Sequence, residues 1–288
     1  MKVILTGTTG FLGSALLRRC RELGIETVAV GRTPANQCVS EALAAAGPFD
    51  GCIHLATYYL PSHVEGQIPD LVDANVTFGT RMLEASVKLG CKWFVNAASF
   101  WQHAADGIPV NLYSAMKEAF QGIAAYYNAA YGLKVANLEL TDTYGEGDTR
   151  KKLVNLWCRA LYEQTLLPMS KGLQEIELVH RDDVVDAFLT LARMLDADDE
   201  KVKGCGETYF LPVEKMTLRE TASVFEEAIG GRLPIQWGAR PERAREIMKI
   251  EHRGSQLPGW KQKISLSAGF ARLYGNFKSK QCRQYVGT

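Results

Sequence analysis

The sequence predicts an α/β chain: a doubly wound parallel sheet with a smaller C-terminal lobe. Three observations predict it. Val3–Leu5 is a short unbroken apolar run, as in a strand buried on both faces. The chain then passes through Gly7, Gly10 and Gly13 directly into a helical pattern of Phe11, Leu12, Ala15 and Leu16. Beyond it, strand and helix patterns alternate through the first two thirds of the 288 residues, which implies parallel strands covered by helices on both faces.

Taken in order, apolar and β-branched runs predict strands at Val3–Leu5, Glu26–Val30, Gly51–Leu55, Trp93–Asn96 and Lys134–Leu140. Helical periodicity predicts helices over Leu12–Leu23, Pro69–Leu89, Ser114–Tyr131 and Arg150–Tyr162. Only about twenty residues separate the second and third strands; they hold the helical stretch Glu41–Ala46, so any strand near Cys38–Val39 is short. From Gly172 the pattern loosens into a strand at Ile176–Val179, a helix at Asp182–Leu195, a strand at Thr208–Leu211, a helix at Leu218–Ile229 and a mixed basic tail. The division expected is a cofactor-binding domain over 1–171 and a mainly substrate-binding lobe over 172–288, some of whose segments return to the first core.

Composition excludes several function classes. A net charge of +1 with 23% charged residues gives no polybasic or acidic bias toward nucleic acid or a membrane surface, so the expected partners are small molecules and a second copy of the chain. The seven cysteines are scattered, without a Cys-x-x-Cys pair, and read as reduced thiols of a cytoplasmic protein; no metal site is expected. The start of the chain runs straight into a strand, and no apolar run reaches the roughly 18 residues of a membrane span, so neither export by a signal peptide nor membrane insertion is expected.

The glycine turn carries the first functional expectation. Between a strand and a helix, Gly7 permits a tight turn, Gly10 a close approach of backbone to a pyrophosphate, and Gly13 close packing of helix on strand, while the helix N-terminus offers N–H groups to phosphate. Thr9, Phe11 and Leu12 belong to the same cofactor-binding turn. The spacing is Gly-x-x-Gly-x-x-Gly rather than the commoner Gly-x-Gly-x-x-Gly. At the end of the second strand, an acidic residue would favour NAD by binding the ribose diol; Gly31-Arg32-Thr33 stands there instead. Arg32 is suited to a charge-assisted pair with a 2′-phosphate, which points to NADP.

Tyr113 and Lys117 carry the second. Four residues apart on a predicted helix, they project from one face. A phenol is a poor proton shuttle at its ordinary pKa near about 10, and a neighbouring ammonium favours the phenolate. Lys117 is also placed to hold the nicotinamide ribose hydroxyls.

These motifs, with His54-Leu55-Ala56-Thr57, Asp73-Ala74-Asn75-Val76, Thr143-Tyr144-Gly145-Glu146-Gly147-Asp148 and His180-Arg181-Asp182-Asp183-Val184-Val185, make the chain resemble the extended short-chain dehydrogenase/reductases of the nucleotide-sugar epimerase, dehydratase and reductase group over nearly its whole length. Trp93–Phe100 and Arg243–Met248 resemble the CDP-4-keto-6-deoxysugar 4-reductases within it, the abequose and paratose synthase type. The resemblance implies a Rossmann-type fold, a nucleotide-sugar substrate and a homodimer paired through the helices at Pro69–Leu89 and Ser114–Tyr131. It implies that Leu55, Ala56, Thr57 and Ala97 line the cofactor, that Asn75 buttresses the central strands beside it, and that Arg243 grips the diphosphate, with Arg240 and Arg245 as rivals. His54, inside an apolar strand, reads as a core residue.

The sequence departs from the family pattern twice. The position after the Trp93–Asn96 strand where a catalytic Ser or Thr is usual is Ala97, with Ser99 two residues on; Ser99 then reaches the substrate carbonyl through a shifted loop, or Tyr113 works without a hydroxyl partner, or activity is weak or altered. Glu139 stands where relatives commonly carry Arg, close to Asp142, a candidate substrate contact. Ala97-Ala98-Ser99-Phe100-Trp101 offers no carboxylate for dehydration, while Phe100 and Trp101 are placed to wall the sugar. The implied reaction is NADPH-dependent reduction of the C4 keto group of a nucleotide-linked 4-keto-6-deoxysugar, in deoxysugar biosynthesis. An NAD(P)-dependent nucleotide-sugar 4-epimerase and a non-catalytic NADP-binding sensor or scaffold stay open as alternatives.

Overall fold

The computed structural model describes residues 1–32, 38–104, 106–243 and 245–286, with side chains to 281; Thr33 and Ala244 lie outside the described residues, as does the side chain of Cys282. In chain order the strands are β1 Lys2–Thr6, β2 Glu26–Val30, β3 Gly51–His54, β4 Trp93–Ser99, β5 Lys134–Leu140, β6 Asp142–Tyr144, β7 Leu167–Pro168, β8 Glu175–Ile176, β9 Leu178–His180, β10 Cys205–Phe210, β11 Met216–Thr217, β12 Ile235–Gln236 and β13 Ser255–Gln256. The helices are α1 Phe11–Glu22, α2 Val39–Ala44, α3 Ile68–Val72, α4 Phe78–Lys88, α5 Leu112–Tyr131, α6 Leu153–Glu163, α7 Arg181–Asp196, α8 Leu218–Ile229 and α9 Leu266–Val286.

The chain divides into two compact units, each threaded three times: 1–140, 185–212 and 251–261 make the first, and 141–184, 213–250 and 262–288 the second. The first unit holds a seven-stranded sheet in the order β13-β10-β5-β4-β3-β1-β2, and its pairings are parallel. From β1 the chain moves outward to β2 and then returns to the other side at β3. That reversal opens a crevice at the carboxyl ends of β1 and β3, where doubly wound sheets hold ligands. One face of the sheet, through Ile4, Cys52, Phe94 and Val135, packs on Phe78 and Met82 of α4 and Phe120 and Ala124 of α5. In the second unit, Trp157 and Cys158 of α6, Leu218 and Phe225 of α8 and Phe270 and Leu273 of α9 form a separate core with Leu178.

Several boundaries differ from the sequence expectation. Strand β4 runs three residues past Asn96 because Ala97, Ala98 and Ser99 keep register with Leu138, Glu139 and Leu140 of β5. No strand forms at Cys38–Val39: Cys38 caps α2, which opens at Val39. The mixed basic tail beyond Ile229 holds the short strands β12 and β13 and closes on the 21-residue helix α9. Its Gly269 hides the helical pattern in the sequence, yet a Cβ there would fall 2.1 Å from the Tyr144 hydroxyl, so the bare Cα makes room for that ring. The expected helix over Pro69–Leu89 is continuous but changes pitch, with a π-helical turn at Asp73–Thr77 between α3 and α4.

Candidate active site

The glycine turn has the shape its sequence predicts. Gly7 sits at φ +72°, and a Cβ there would lie 2.7 Å from the Ala56 nitrogen; a Cβ at Gly13 would lie 2.1 Å from the Gly7 carbonyl oxygen. The Gly10 amide donates to that same oxygen at 3.0 Å and leads into α1, whose N-terminus carries no side-chain cap. A helix N-terminus directs its first backbone amides and the positive end of its dipole outward, an arrangement suited to an anion. Thr9 and Gly10 are exposed on this turn, with Phe11 and Leu12 half-buried behind them. A cradle that side chains would fill, opening onto a helix N-terminus without a side-chain cap, fits the pyrophosphate of a dinucleotide.

Thr6, a residue without a sequence signal, ties the turn to the next strand. Its hydroxyl accepts from the Leu55 and Ala56 amides at 3.1 Å and meets His54 Nδ1 at 2.9 Å. Burial, reinforced by Lys117, pushes the His54 pKa down to about 3. The ring is therefore neutral, packed between Phe78, Phe94 and Phe120 at centroid distances of 5.5–5.8 Å as a core residue. Asn75, in the π-turn, clamps the loop after β3. Its Oδ1 accepts from the Thr57 hydroxyl at 2.6 Å and the Tyr58 amide at 3.1 Å, and its Nδ2 donates to the carbonyls of Tyr58 and Leu71. Arg32 leaves the end of β2 half-exposed, with its guanidinium 3.9 Å from the Asp73 carboxylate.

Tyr113 and Lys117 lie on the buried face of α5, each 8% exposed. The Lys117 ammonium donates to the Ala97 carbonyl at 2.7 Å and stands 5.7 Å from the Tyr113 ring centroid. Burial lowers its pKa to about 8. Ala97 is thus an interior residue of β4 whose backbone anchors the lysine, and the residue at the strand's carboxyl end is Ser99. That placement corrects the expectation that Ala97 follows the strand. Because strand side chains alternate, Ala97 and Ser99 share a face. The Ser99 hydroxyl accepts from the Trp101 amide at 3.3 Å, and its amide donates to Gln102, whose own amide group donates to Glu118 at 2.8 Å. Sequence reasoning missed Tyr59: its ring meets Tyr113 edge-on at 5.1 Å and Trp101 at 5.7 Å, and Trp101 meets Phe100 at 6.2 Å. Only the paired aromatics after Thr57 hinted at it.

Asp142, Arg243, the Thr143–Asp148 motif and His180–Val184 of the other belong to the second unit. Asp142 pairs with Lys152 at 3.6 Å beside an open pocket of ≈ 250 Å³ lined by Thr143, Asn155 and Leu178. Arg243 is exposed, 3.9 Å from Glu246. The Tyr-Gly turn and the His-Arg-Asp-Asp motif meet through β6 and β9, where His180 Nε2 lies 3.1 Å from Glu146 and holds that carboxyl down to about 2. Glu146, His180 and Asp182 approach closely enough to hold an ion, but Arg181 and Arg272 already pair with both carboxylates. Asp183 accepts from the Lys263 and Ile264 amides at 3.2 and 3.0 Å.

Among the described residues, no helix is long and apolar enough to cross a membrane. Among curated proteins, the chain is 26% identical to CDP-abequose synthase of Salmonella typhimurium over 94% of its own length and 96% of that protein's. It is 25% identical to CDP-abequose synthase of Yersinia pseudotuberculosis over 92% and 96%. Among solved structures, it superposes on UDP-glucose 4-epimerase of Thermotoga maritima with a TM-score of 0.80 at 18% identity, over 98% of this chain and all of that one. The dTDP-glucose 4,6-dehydratase DesIV of Streptomyces venezuelae gives 0.78 at 20% identity, over 98% of both. The model of the NAD dependent epimerase/dehydratase family matches residues 3–206. With that match spanning the glycine turn, Tyr113 and Lys117, the chain is an oxidoreductase-type enzyme and belongs to the NAD dependent epimerase/dehydratase family.

Proposed function

We propose that the protein reduces the C4 keto group of a nucleotide-linked 4-keto-6-deoxysugar, with NADPH as reductant. The observation that carries the reading is the Tyr113–Lys117 pair anchored on Ala97, with Ser99 at the end of the same strand. The likeness to the CDP-abequose synthases supports the substrate class. The turn from Gly7 to Gly13, the loop Leu55–Thr57 clamped by Asn75, and Lys117 hold the cofactor; Arg32 selects the 2′-phosphate. Bound there, the cofactor supplies the hydride.

Tyr113 gives its hydroxyl proton to the alkoxide oxygen formed at C4. The Lys117 ammonium, bonded to the Ala97 carbonyl, favours the phenolate left behind by charge proximity. The Ser99 hydroxyl accepts from the Trp101 amide and keeps its own hydrogen to donate to the same substrate oxygen. Phe100 and Trp101 wall the sugar, and Asp142 and Arg243 take the polar ends of the substrate by their chemistry, Arg243 as a fork of donors for the diphosphate. Removal of water from the sugar needs a free acid/base carboxylate. Glu118 and Glu139, the carboxylates near Ser99, are held by Gln102 and His252.

Incubation with NADPH and a panel of CDP-, dTDP- and GDP-4-keto-6-deoxysugars, following the absorbance of the reduced cofactor, tests the reading. Oxidation with at least one sugar is expected, falling about 10²–10⁴-fold in Tyr113→Phe; full activity of that variant removes the proton donor from the account. A second reading, an epimerase, is favoured by one observation: Asp73 shares the charge of Arg32 and so weakens its claim on a 2′-phosphate. Cofactor titrations decide between them. Arg32→Asp is expected to weaken NADPH far more than NADH, and equal loss of both would return the choice to the epimerase.

A further inference from the structure

Glu139 is the residue the family comparison leaves without a role. Its side chain is fully buried near the carboxyl end of β5, beside Ala98 of β4 and Phe210 of β10. Two histidines face it. His252 Nδ1 lies 2.6 Å from one carboxylate oxygen, with its ring stacked on Phe210 at 4.1 Å and 2° between planes. His103 Nε2 lies 3.7 Å from the other oxygen, and both histidine side chains are only 7% exposed. That second distance is too long for a hydrogen bond. The outer Glu139 oxygen is buried without a hydrogen-bond partner among the described residues, as is His103 Nδ1 on the other side of that ring.

A buried cluster of ionisable groups is poor stability design: apolar groups of the same volume commonly hold a fold at least as well. What this one does hold is three chain segments remote in sequence. Glu139 belongs to the sheet, His252 to the segment running into β13, and His103 to the loop between Ser99 and α5. That loop closes on itself through Val110 N to Trp101 O at 2.9 Å, carries Phe100 and Trp101, and delivers the chain to Tyr113. Arg253, next to His252, reaches the same loop at the Gly107 carbonyl. The sheet, through Glu139, and the segment of His252 and Arg253 therefore grip the loop that joins Ser99 to Tyr113.

We propose that Glu139, with His252 and His103, is a positioning group that braces the Phe100–Asn111 loop and so sets Ser99, Trp101 and Tyr113 for reaction. The inference rests on the reading of Tyr113 and Ser99 as the groups that meet the substrate. The inner contact to His252 is made at 2.6 Å, and the outer one to His103 stands at 3.7 Å.

The test uses the full-length protein saturated with NADPH, without sugar, as Glu139→Gln, His252→Gln and the double variant. Amide hydrogen exchange is read at His103, Ala104, Gly107 and Val110, whose N–H groups are bonded within the loop. Exchange there is expected to rise at least tenfold in either single variant while Ile53 and Phe94 in the sheet stay protected. The double variant is expected to add less than twofold, because both changes act through one contact. In turnover, kcat is expected to fall tenfold or more, with KM and the NADPH Kd within twofold. Unchanged loop exchange, equal acceleration across loop and sheet, or additive effects overturn the brace; His252→Gln keeps the test open should Glu139→Gln fail to fold. Because exchange is read without sugar, loop loosening in a protein that turns over no 4-keto sugar counts against the proposed reaction and leaves the brace standing.

Discussion

Lys117 shows how the chemistry of a single residue works against the fold that holds it. Burial takes its pKa from 10.5 to about 8, so between those values the unfolded chain binds more protons than the folded one. Stability then rises with pH across that window, and below it the charged side chain costs the fold about 3 kcal/mol. Lys117→Met is expected to raise the Tm of the cofactor-free protein at pH 7 while abolishing turnover; a lowered Tm would show that the bond to Ala97 outweighs desolvation. His54, held near 3 from 6.5, has the same sign on the acid side: stability is lost as pH falls from 6.5 toward 3. His54→Gln is expected to flatten that slope in acid-unfolding curves. The placement of Tyr113 and Lys117 on one helix face and the core reading of His54 were legible from spacing and residue type. The acceptor at Ala97 was not, because a backbone carbonyl is present at every position and leaves no trace in the sequence. Nor were Thr6 and Tyr59, which act through neighbours about fifty residues away.

The π-turn at Asp73–Thr77 matters at the scale of elements. It carries Asn75, whose amide satisfies the Tyr58 backbone on both sides and the Leu71 carbonyl. Asn75→Ala strands these buried groups, at about 1–3 kcal/mol each where water cannot reach. A lowered Tm is expected together with weaker NADPH binding, measured by calorimetry, since the clamped loop adjoins Leu55–Thr57. An unchanged Kd with a lowered Tm would make the clamp purely structural. The helix itself was legible from its periodicity, but its change of pitch was not, since one extra residue per turn barely disturbs an apolar stripe. The end of β4 was misplaced because two alanines after Asn96 give no strand signal, and only pairing with β5 holds them extended.

For the whole molecule, cofactor binding and folding are one equilibrium. A ligand held only by the folded chain adds about 2.7 kcal/mol at a hundred times its Kd. NADPH is therefore expected to raise the Tm by several degrees, and NADH by less at the same concentration; an equal shift would remove the selectivity assigned to Arg32. The alternation of elements made the parallel sheet legible from the sequence. Which later segments join the first unit was not, because that depends on pairing across long gaps.

That threading bears on how the chain is made. Strand β5 lies inside the finished sheet, yet its partner β10 follows only after roughly sixty-five residues, and β13 later still. During synthesis at about 5–20 residues per second, the open edge of β5 waits on the order of several seconds for cover. The nascent protein passes through a stage in which its own sheet is a template for the wrong neighbour.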